Sequence, residues 1–453
     1  MTDRTQRPSS AQLAFGRPFR LNLEQQKNRA KDLLRAARAA DPEALSRFAA
    51  LRSALTQHSP ETLPATVKLV DAQYVIAREL RFASWAKLKE HIESMDLQRV
   101  AIENKQLPPD GDLKTLHIRC GLDIKEKLVI AGFIGDFLEH AIPYCLVPVT
   151  LGPDRYELIA RYLVKAFPDT HGGLVYEREL EALPLGEQRL HRTAEDYQRV
   201  VIWMEADSWD QLILARLLAH FANAKRPRVL ELIAVDEFPG AARFIGLGQL
   251  PPEALRLLWP TRKPVTSAQL ALGNEVWNAL ASSDPRELAA IARSGTPALP
   301  IMAPALHRHL RELPAVKNGL SLTQHLILEA VSEGSTDKPM RVWADVYPLL
   351  QKRDPIPWMP DLAFRNLIND MLSMSDPVLT FTRIPELPGR TCVEAPGTFL
   401  QLLTITDLGR AVLRGERDWL SLRPSSRWVG GVHVEPGVTG WRWDEAKRDA
   451  VLR

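Results

Sequence analysis

Two nearly continuous apolar segments constrain the fold of this chain most strongly. The first is Arg199–Glu205, with the sequence Arg-Val-Val-Ile-Trp-Met-Glu, and the second is Val229–Val235. Strands that lack alternation of apolar and polar residues are typical of parallel sheets covered by helices on both faces. Residues 210–222, between the two segments, have the apolar spacing of an amphipathic helix, the usual crossover between parallel strands. These features predict an α/β domain with a mostly parallel sheet.

The region before these segments continues the alternation of strand and helix. Residues 116–120 and 136–140 have strand patterns, and residues 124–131 and 156–166 have helical patterns. Residues from 251 onward are mainly helical in pattern. The predicted parts of the chain are a flexible tail over residues 1–20, an N-terminal helical segment over 21–106, the α/β domain over 113–250, a helical connector over 251–316 and a C-terminal domain over 317–453.

The composition excludes several classes of protein. A net charge of only +3, without a basic stripe, argues against sequence-independent binding of nucleic acid. The widely spaced Cys120, Cys145 and Cys392 indicate a reducing compartment rather than a disulfide framework. No apolar run is long enough to span a bilayer, and the N-terminus has no apolar signal core. We therefore expect a cytoplasmic protein with no membrane partner.

Acidic residues follow the predicted strands of the α/β domain. In an open parallel sheet, ligands bind beyond the carboxyl ends of the strands. Carboxylates at this edge could hold a divalent cation, or they could accept hydrogen bonds from the hydroxyl groups of a small polar ligand. The sequence does not decide between these two possibilities, so a divalent cation stays a possible cofactor. The candidate ligand-binding residues are Gly121, Asp123, Glu139, Asp207, Asp210, Gln211 and Asp236.

Helix capping offers a structural explanation for some of these acids. Asp207 precedes a predicted helix and is a good N-cap, and Asp210 complements the helix dipole. Asp123 could cap the first helix of the domain, over residues 124–131, in the same way. Glu205 is harder to explain, because it ends a buried strand in which an unpaired carboxylate is costly. We therefore take Glu205 as the candidate catalytic acid or base, and Asp236 as the next strongest candidate for a site.

The C-terminal domain has the pattern of a winged helix. Helical patterns over residues 319–331 and 361–372 precede strand-like segments at 378–381 and 401–405. The candidate recognition helix carries one base against two acids, and phosphate contacts disfavour carboxylates. Nucleic-acid binding is thus an open but disfavoured alternative to a structural or protein-contact role. The polar residues on this helix are Asp361, Arg365, Asn366, Asn369 and Asp370.

Several strings of residues are similar to those of a known family. They are Leu-His-Ile-Arg-Cys-Gly at 116–121, Gly-Asp-Phe-Leu-Glu at 135–139, residues 203–212, 236–250, 308–310, 403–410, and Trp-Val-Gly-Gly-Val-His at 428–433. Through them the chain resembles, over residues 113–444, the bacterial family called domain of unknown function 1835. The resemblance implies a shared α/β-plus-helical architecture and supplies no chemistry. Residues 71–89 are similar to the helical segment that often lies beside bacterial ankyrin repeats.

The chain departs from the family pattern beside the acidic strand ends. Ile142 stands where the family usually has Asp, Val147 where it has Gly, and Ala206 where it has His. These departures favour binding over catalysis. The first hypothesis is therefore a small-ligand-binding or protein-interaction protein, of adaptor or regulatory type, with an acidic pocket at the strand ends. The alternatives are a hydrolase or transferase that uses the same carboxylates with a divalent metal, and a transcription regulator that binds DNA through the winged helix.

Overall fold

The computed structural model describes most of the chain. The described residues are 19–51, 63–166, 175–241, 243–334, 338–383 and 401–453. Cys392 and most of the predicted tail lie outside them.

The N-terminal segment is a cluster of helices with a core of its own. Asp41 caps the second helix and Ser84 caps the last, since each side chain accepts a hydrogen bond from the first turn. Arg81 has a positive φ of 66°, which separates the last two helices where the sequence pattern predicts continuous helical spacing. The helices are α1 (Leu23–Arg38), α2 (Pro42–Ala49), α3 (Leu63–Thr66), α4 (Leu69–Glu79) and α5 (Trp85–Glu103).

The segment is fastened to the α/β domain at its N-terminal edge. Phe19 is buried and lies edge-to-face against Phe238, with ring centroids 5.7 Å apart. Arg20 pairs with the buried Glu253, with 2.7 Å between Nε and Oε1. The predicted tail therefore extends too far, because residues 19 and 20 belong to the folded structure.

The central sheet confirms the predicted α/β class. Its strand order is β2–β1–β3–β4–β5, and the first four strands are parallel. The short fifth strand pairs antiparallel with β4. The strands are β1 (Thr115–Arg119), β2 (Asp136–Glu139), β3 (Arg199–Glu205), β4 (Val229–Val235) and β5 (Lys263–Pro264).

Helices cover both faces of the sheet, as the unbroken apolar strands require. Val200 and Ile202 pack on one face with the helices that precede and follow β3, and Val201 and Trp203 pack on the other face. The helices of this region are α6 (Lys125–Ile130), α7 (Arg155–Ala166), α8 (Tyr176–His191), α9 (Thr193–Asp196), α10 (Ser208–Asn223), α11 (Pro252–Leu258) and α12 (Ser267–Leu280). Helices α7, α8, α10 and α12 lie on the first face, and α6 and α11 lie on the second.

The C-terminal part joins the core of the first face. It contains a three-stranded antiparallel sheet of order β6–β8–β7 and two hairpins. Its helices are α13 (Arg286–Ser294), α14 (Met302–Leu310), α15 (Leu322–Ser332), α16 (Tyr347–Arg353), α17 (Asp361–Leu372) and α18 (Asp407–Arg414). Its strands are β6 (Met340–Arg341), β7 (Leu379–Arg383), β8 (Gln401–Ile405), β9 (Arg427–Val429), β10 (Val432–Val434), β11 (Trp441–Asp444) and β12 (Asp449–Leu452).

A buried arginine connects the helical connector with this C-terminal part. Arg308 donates to both carboxylate oxygens of Asp354, at 2.8 and 2.6 Å, and to Glu312 Oε1 at 2.6 Å. Thr323 Oγ1 accepts another of its hydrogen bonds at 2.8 Å. The network explains why a charged residue tolerates complete burial at this position.

Candidate functional site

The topology places the carboxyl ends of β1 and β3 at a reversal of strand order. The chain leaves β1 through α6 on one face of the sheet, and it leaves β3 through α10 on the other face. Such a switch point opens a crevice where ligands bind in many α/β proteins. The last residues of the two strands, Arg119 and Glu205, therefore occupy the position in which a site is expected.

Arg119 lies at the centre of the acidic residues. Its guanidinium donates to carboxylate oxygens of Glu205 and Asp210 and to both oxygens of Asp123, at 3.2 and 3.1 Å. Its side chain is 3% exposed. A guanidinium can satisfy several carboxylates at once because its five N–H groups are fixed in one plane. The acids thus surround a cation that the protein itself supplies.

Further hydrogen bonds hold Glu205 in place. Leu247 N–H donates to Glu205 Oε1 over 2.6 Å, and Glu205 N–H donates to Asp210 Oδ1 over 2.8 Å. The side-chain amide of Gln211 donates to the Glu205 carbonyl. Glu205 is consequently held from several directions, and its side chain is only 8% exposed.

Residues 246–248 pack over the acidic cluster at the crevice, and we call this segment the cover. A Cβ atom at Gly246 would overlap the Glu205 carboxylate, and one at Gly248 would lie 2.9 Å from Asp123 Oδ2. Lys127 donates to the Gly248 carbonyl from the α6 side. Both glycines therefore serve to bring the backbone close to the acids. The cover leaves little room for a substrate at Glu205.

Asp207 occupies the more accessible side of the cluster. It is half-buried and caps α10, since its Oδ1 accepts a hydrogen bond of 2.9 Å from Asp210 N–H. Burial, and then the charge of Asp210, raise the pKa of Asp207 from 3.8 to about 8. Burial also raises the pKa of Glu205 well above its ordinary value, although Arg119 opposes this shift. The cluster holds more acid than one guanidinium neutralises.

The structure brings together five of the predicted site residues. Asp123, Glu205, Asp207, Asp210 and Gln211 converge as described above. Oxygen atoms of Glu205, Asp207 and Asp210 lie within 4.8 Å of one another, which is close enough for a shared cation.

The other predicted residues lie at or beyond the margin of the cluster. Gly121 is in the loop after β1, where a Cβ atom would lie 3.8 Å from Asp123. Glu139 is exposed at the end of β2; burial of its carboxyl raises its pKa, the nearby Lys125 opposes the shift, and Asp123 adds to it. Asp236 is exposed, and its side chain forms no ion pair with any residue that the structure describes. Asp236 therefore does not share the Arg119 network.

Cys120 and His140 have separate structural partners. The thiol of Cys120 lies 3.0 Å from Asp210 Oδ2, and burial together with the charge of Asp210 raises its pKa well above 9. The His140 ring bonds to the Tyr144 hydroxyl at 3.2 Å, and burial lowers its pKa to about 3. A protonated thiol is a poor nucleophile, so these two residues do not form an activated pair.

A second concave feature lies beside the edge strand β2. It is a groove of about 500 Å³ between α6, β2 and the C-terminal half of α8. The aromatic rings of Phe133 and Phe137 line it, and the exposed cations Lys125 and Arg189 stand at its rim. Its size suits a small organic ligand.

Polar groups inside this groove are partly paired with one another. The Tyr197 hydroxyl donates to Asp136 Oδ2 over 2.8 Å, and Arg189 donates to the Phe137 carbonyl over 3.3 Å. Lys125 makes no ion pair among the described residues. His117 is turned inward, where it bonds to Asp110 at 3.0 Å and to Trp203 at 3.1 Å. Among the residues that line the groove, the two cations Lys125 and Arg189 outnumber the one acid, Asp136.

Comparisons with known proteins add no relative. No family model, curated protein or solved structure matches the chain. The resemblance to domain of unknown function 1835 therefore stays a prediction. In the described ranges, no helix combines the length and the apolar character that crossing a membrane requires.

Proposed function

We propose that the protein binds a small organic anion in the groove beside β2, and that its acidic strand ends are structural. The observation that carries the proposal is the pairing of an aromatic floor with two exposed cations in a cavity of about 500 Å³. The hypothesis of a small-ligand-binding protein is thereby kept, and its site moves from the acidic edge to the neighbouring strand. A ligand with a carboxylate, sulfonate or phosphate and an apolar body suits this lining.

The charges at the rim favour an anion. Lys125 and Arg189 lie on different helices, α6 and α8, and they face the groove from its two sides. Asp136 already accepts a hydrogen bond from Tyr197, which reduces its repulsion of a second anion. A hydrogen bond to a charged group contributes about 1.5–3 kcal/mol. Either cation is therefore strong enough to change affinity by about tenfold or more.

The enzyme alternative has less support from the geometry. A general acid or base needs to reach the proton that it transfers. Glu205 Oε1 accepts from Arg119 and from the Leu247 amide, and the Gly246 backbone lies against the other oxygen. A metal ion at Glu205, Asp207 and Asp210 would compete with the Arg119 guanidinium for oxygens of Glu205 and Asp210. Stabilisation of the protein by Mg²⁺ or Mn²⁺ that disappears in Asp207→Asn would support this alternative.

The regulator alternative is disfavoured by the packing of α17. The element order α15, β6, α16, α17, β7 and β8 is compatible with the predicted winged helix, in which α17 would be the recognition helix. Asn366 on this helix donates to the Ala166 carbonyl at the end of α7, and Asp370 accepts from Ser425 at 2.9 Å. Two of the polar residues of this helix are therefore in contact with the rest of the protein, and we propose a structural role for this part.

The anion proposal is tested with 8-anilinonaphthalene-1-sulfonate, which combines a sulfonate with aromatic rings. Fluorescence titration of the full chain is expected to show saturable binding, and Arg189→Gln is expected to weaken it about tenfold. Arg192→Gln is the matched control, because Arg192 directly follows α8, is exposed and pairs with Asp196 outside the lining of the groove. Near-UV circular dichroism establishes that each variant is folded. Equal affinity of the wild type and Arg189→Gln would overturn the proposal.

A further inference from the structure

Two neighbouring helices present polar residues at matching helical spacing. Glu187 and His191 are four residues apart on α8, and Arg216 and His220 are four residues apart on α10. Residues at this spacing lie on one face of a helix. One ligand atom from each of Glu187, His191 and His220 lies within 4.8 Å of the other two. Two imidazoles and a carboxylate thus converge away from the Arg119 network.

One nitrogen of His220 is left without a partner. Its Nε2 is buried and makes no hydrogen bond, although the residue is only 5% exposed. The Leu190 backbone lies close enough to the ring to favour its protonated form. In the neutral ring, a proton on Nδ1 leaves the Nε2 lone pair free to bind a metal ion. Histidines that bind metals keep the other ring nitrogen protonated in this way.

Glu187 and His191 supply the other two potential ligands. Glu187 is buried and pairs with Arg216 through Oε2, so Oε1 is the oxygen available to an ion. Arg216 also lies over the Trp277 ring, 5.5 Å from its centroid, which holds the guanidinium to one side. His191 is exposed, and its ring stands edge-to-face against His220 with centroids 4.7 Å apart. A ring nitrogen of His191 lies within 4.8 Å of the ligand atoms of both Glu187 and His220.

We propose that Glu187, His191 and His220 form a binding site for a divalent transition metal, with Zn²⁺ as the ion that the donor set favours. Two nitrogens and one carboxylate oxygen are common zinc ligands, and such a set leaves a fourth position for water. Because His191 is exposed, this position faces solvent. Arg216 orients the carboxylate from behind, in the manner of an outer-shell partner. The proposal does not depend on the function proposed for the groove.

The test uses the full chain without a histidine tag, after treatment with a chelator and dialysis. Isothermal titration with Zn²⁺ is expected to give one ion per chain, and Co²⁺ is expected to give the visible absorption of a four-coordinate site. His191→Ala is expected to weaken Zn²⁺ binding by at least about tenfold. Because His191 is exposed, this substitution leaves the fold intact. His220→Asn is expected to have the same effect or a larger one.

His433→Ala is the matched control. His433 is also exposed and lies 3.6 Å from a carboxylate, that of Glu435, but the described residues supply no third ligand there. The control is expected to bind Zn²⁺ as the wild type does. Absence of Zn²⁺ binding to the wild type would overturn the proposal. Binding that survives in His191→Ala but disappears in Asp207→Asn would overturn it as well, since the ion would then occupy the acidic cluster.

Discussion

Arg119 and Glu205, the last residues of the neighbouring strands β1 and β3, form a buried ion pair at the switch point of the sheet. The pair fills the position at which a ligand would bind in many α/β proteins. Its partners Asp123 and Asp210 extend the pair into a network. The network explains why acids collect at this edge without requiring catalysis.

Loss of Arg119 is expected to destabilise the protein strongly. Arg119→Met leaves buried carboxylates without a counter-charge, which costs about 3–5 kcal/mol when one partner of a buried pair is removed. Urea unfolding at neutral pH measures the loss. Arg192→Met is the control, since its exposed pair with Asp196 contributes no more than about 1 kcal/mol. A loss as small as that of the control would mean that the network does not hold the crevice together.

The free energy of unfolding is expected to fall as the pH rises through the neutral range. The folded-state pKa of Asp207 is about 8, against 3.8 ordinarily, so folded protein keeps a proton that unfolded chains release in this window. Stability falls with pH wherever the folded state binds more protons. Asp207→Asn removes this proton linkage and keeps the cap, because Asn and Asp cap helices equally well.

Urea unfolding at a series of pH values compares the slopes. The slope is expected to be smaller in Asp207→Asn than in the wild type, and unchanged in Asp236→Asn, whose carboxylate is exposed. Glu205 contributes in the same direction, because its pKa is also raised. Identical slopes in all three proteins would contradict the raised pKa of Asp207.

The glycine at position 246 is expected to be required for closure of the crevice. A methyl group there would overlap the Glu205 carboxylate, so Gly246→Ala should cost about 1–3 kcal/mol of unfolding free energy. Gly186→Ala is the control, because that glycine lies within α8 and has open space around its Cβ position. The control is expected to gain about 0.5–1 kcal/mol from helix propensity. Equal effects of both substitutions would argue against the cover.

The Arg308 network is expected to stabilise the junction between α14 and the C-terminal part. Asp354→Asn removes the charge that faces the buried guanidinium, at a cost of about 3–5 kcal/mol. Asp345→Asn changes a partly exposed pair with Arg341 at the protein surface and should cost no more than about 1 kcal/mol. Thermal unfolding of both variants separates a buried pair from a surface pair. Similar melting temperatures would show that Asp354 is dispensable.

The central strands were predictable because their nearly continuous apolar residues indicate burial on both faces of a sheet. Arg199–Glu205 and Val229–Val235 have the predicted bounds, since strands covered on both faces carry apolar residues at successive positions. The helix α8 was not predicted. Pro184 lies within it, and its exposed surface is rich in Glu and Arg, so apolar periodicity is weak. Both the Arg189 side of the groove and the Glu187–His191 pair were missed with it.

The centre of the acidic cluster was also missed. Arg119 ends a buried strand just as Glu205 does, and two opposite charges at the ends of adjacent buried strands indicate an ion pair. That inference requires the strand order, which the sequence does not contain. Residues 246–248 bring glycines to the acids from far along the chain, and only the fold shows this approach.

The most direct test compares the two concave features in one titration. Binding of 8-anilinonaphthalene-1-sulfonate is measured for Glu205→Gln and Lys125→Gln, at a temperature where both have the near-UV circular dichroism of the wild type. We expect Glu205→Gln to bind as the wild type does, and Lys125→Gln to bind about tenfold more weakly. Loss of binding in Glu205→Gln with unchanged binding in Lys125→Gln would place the ligand at the acidic strand ends and contradict this account.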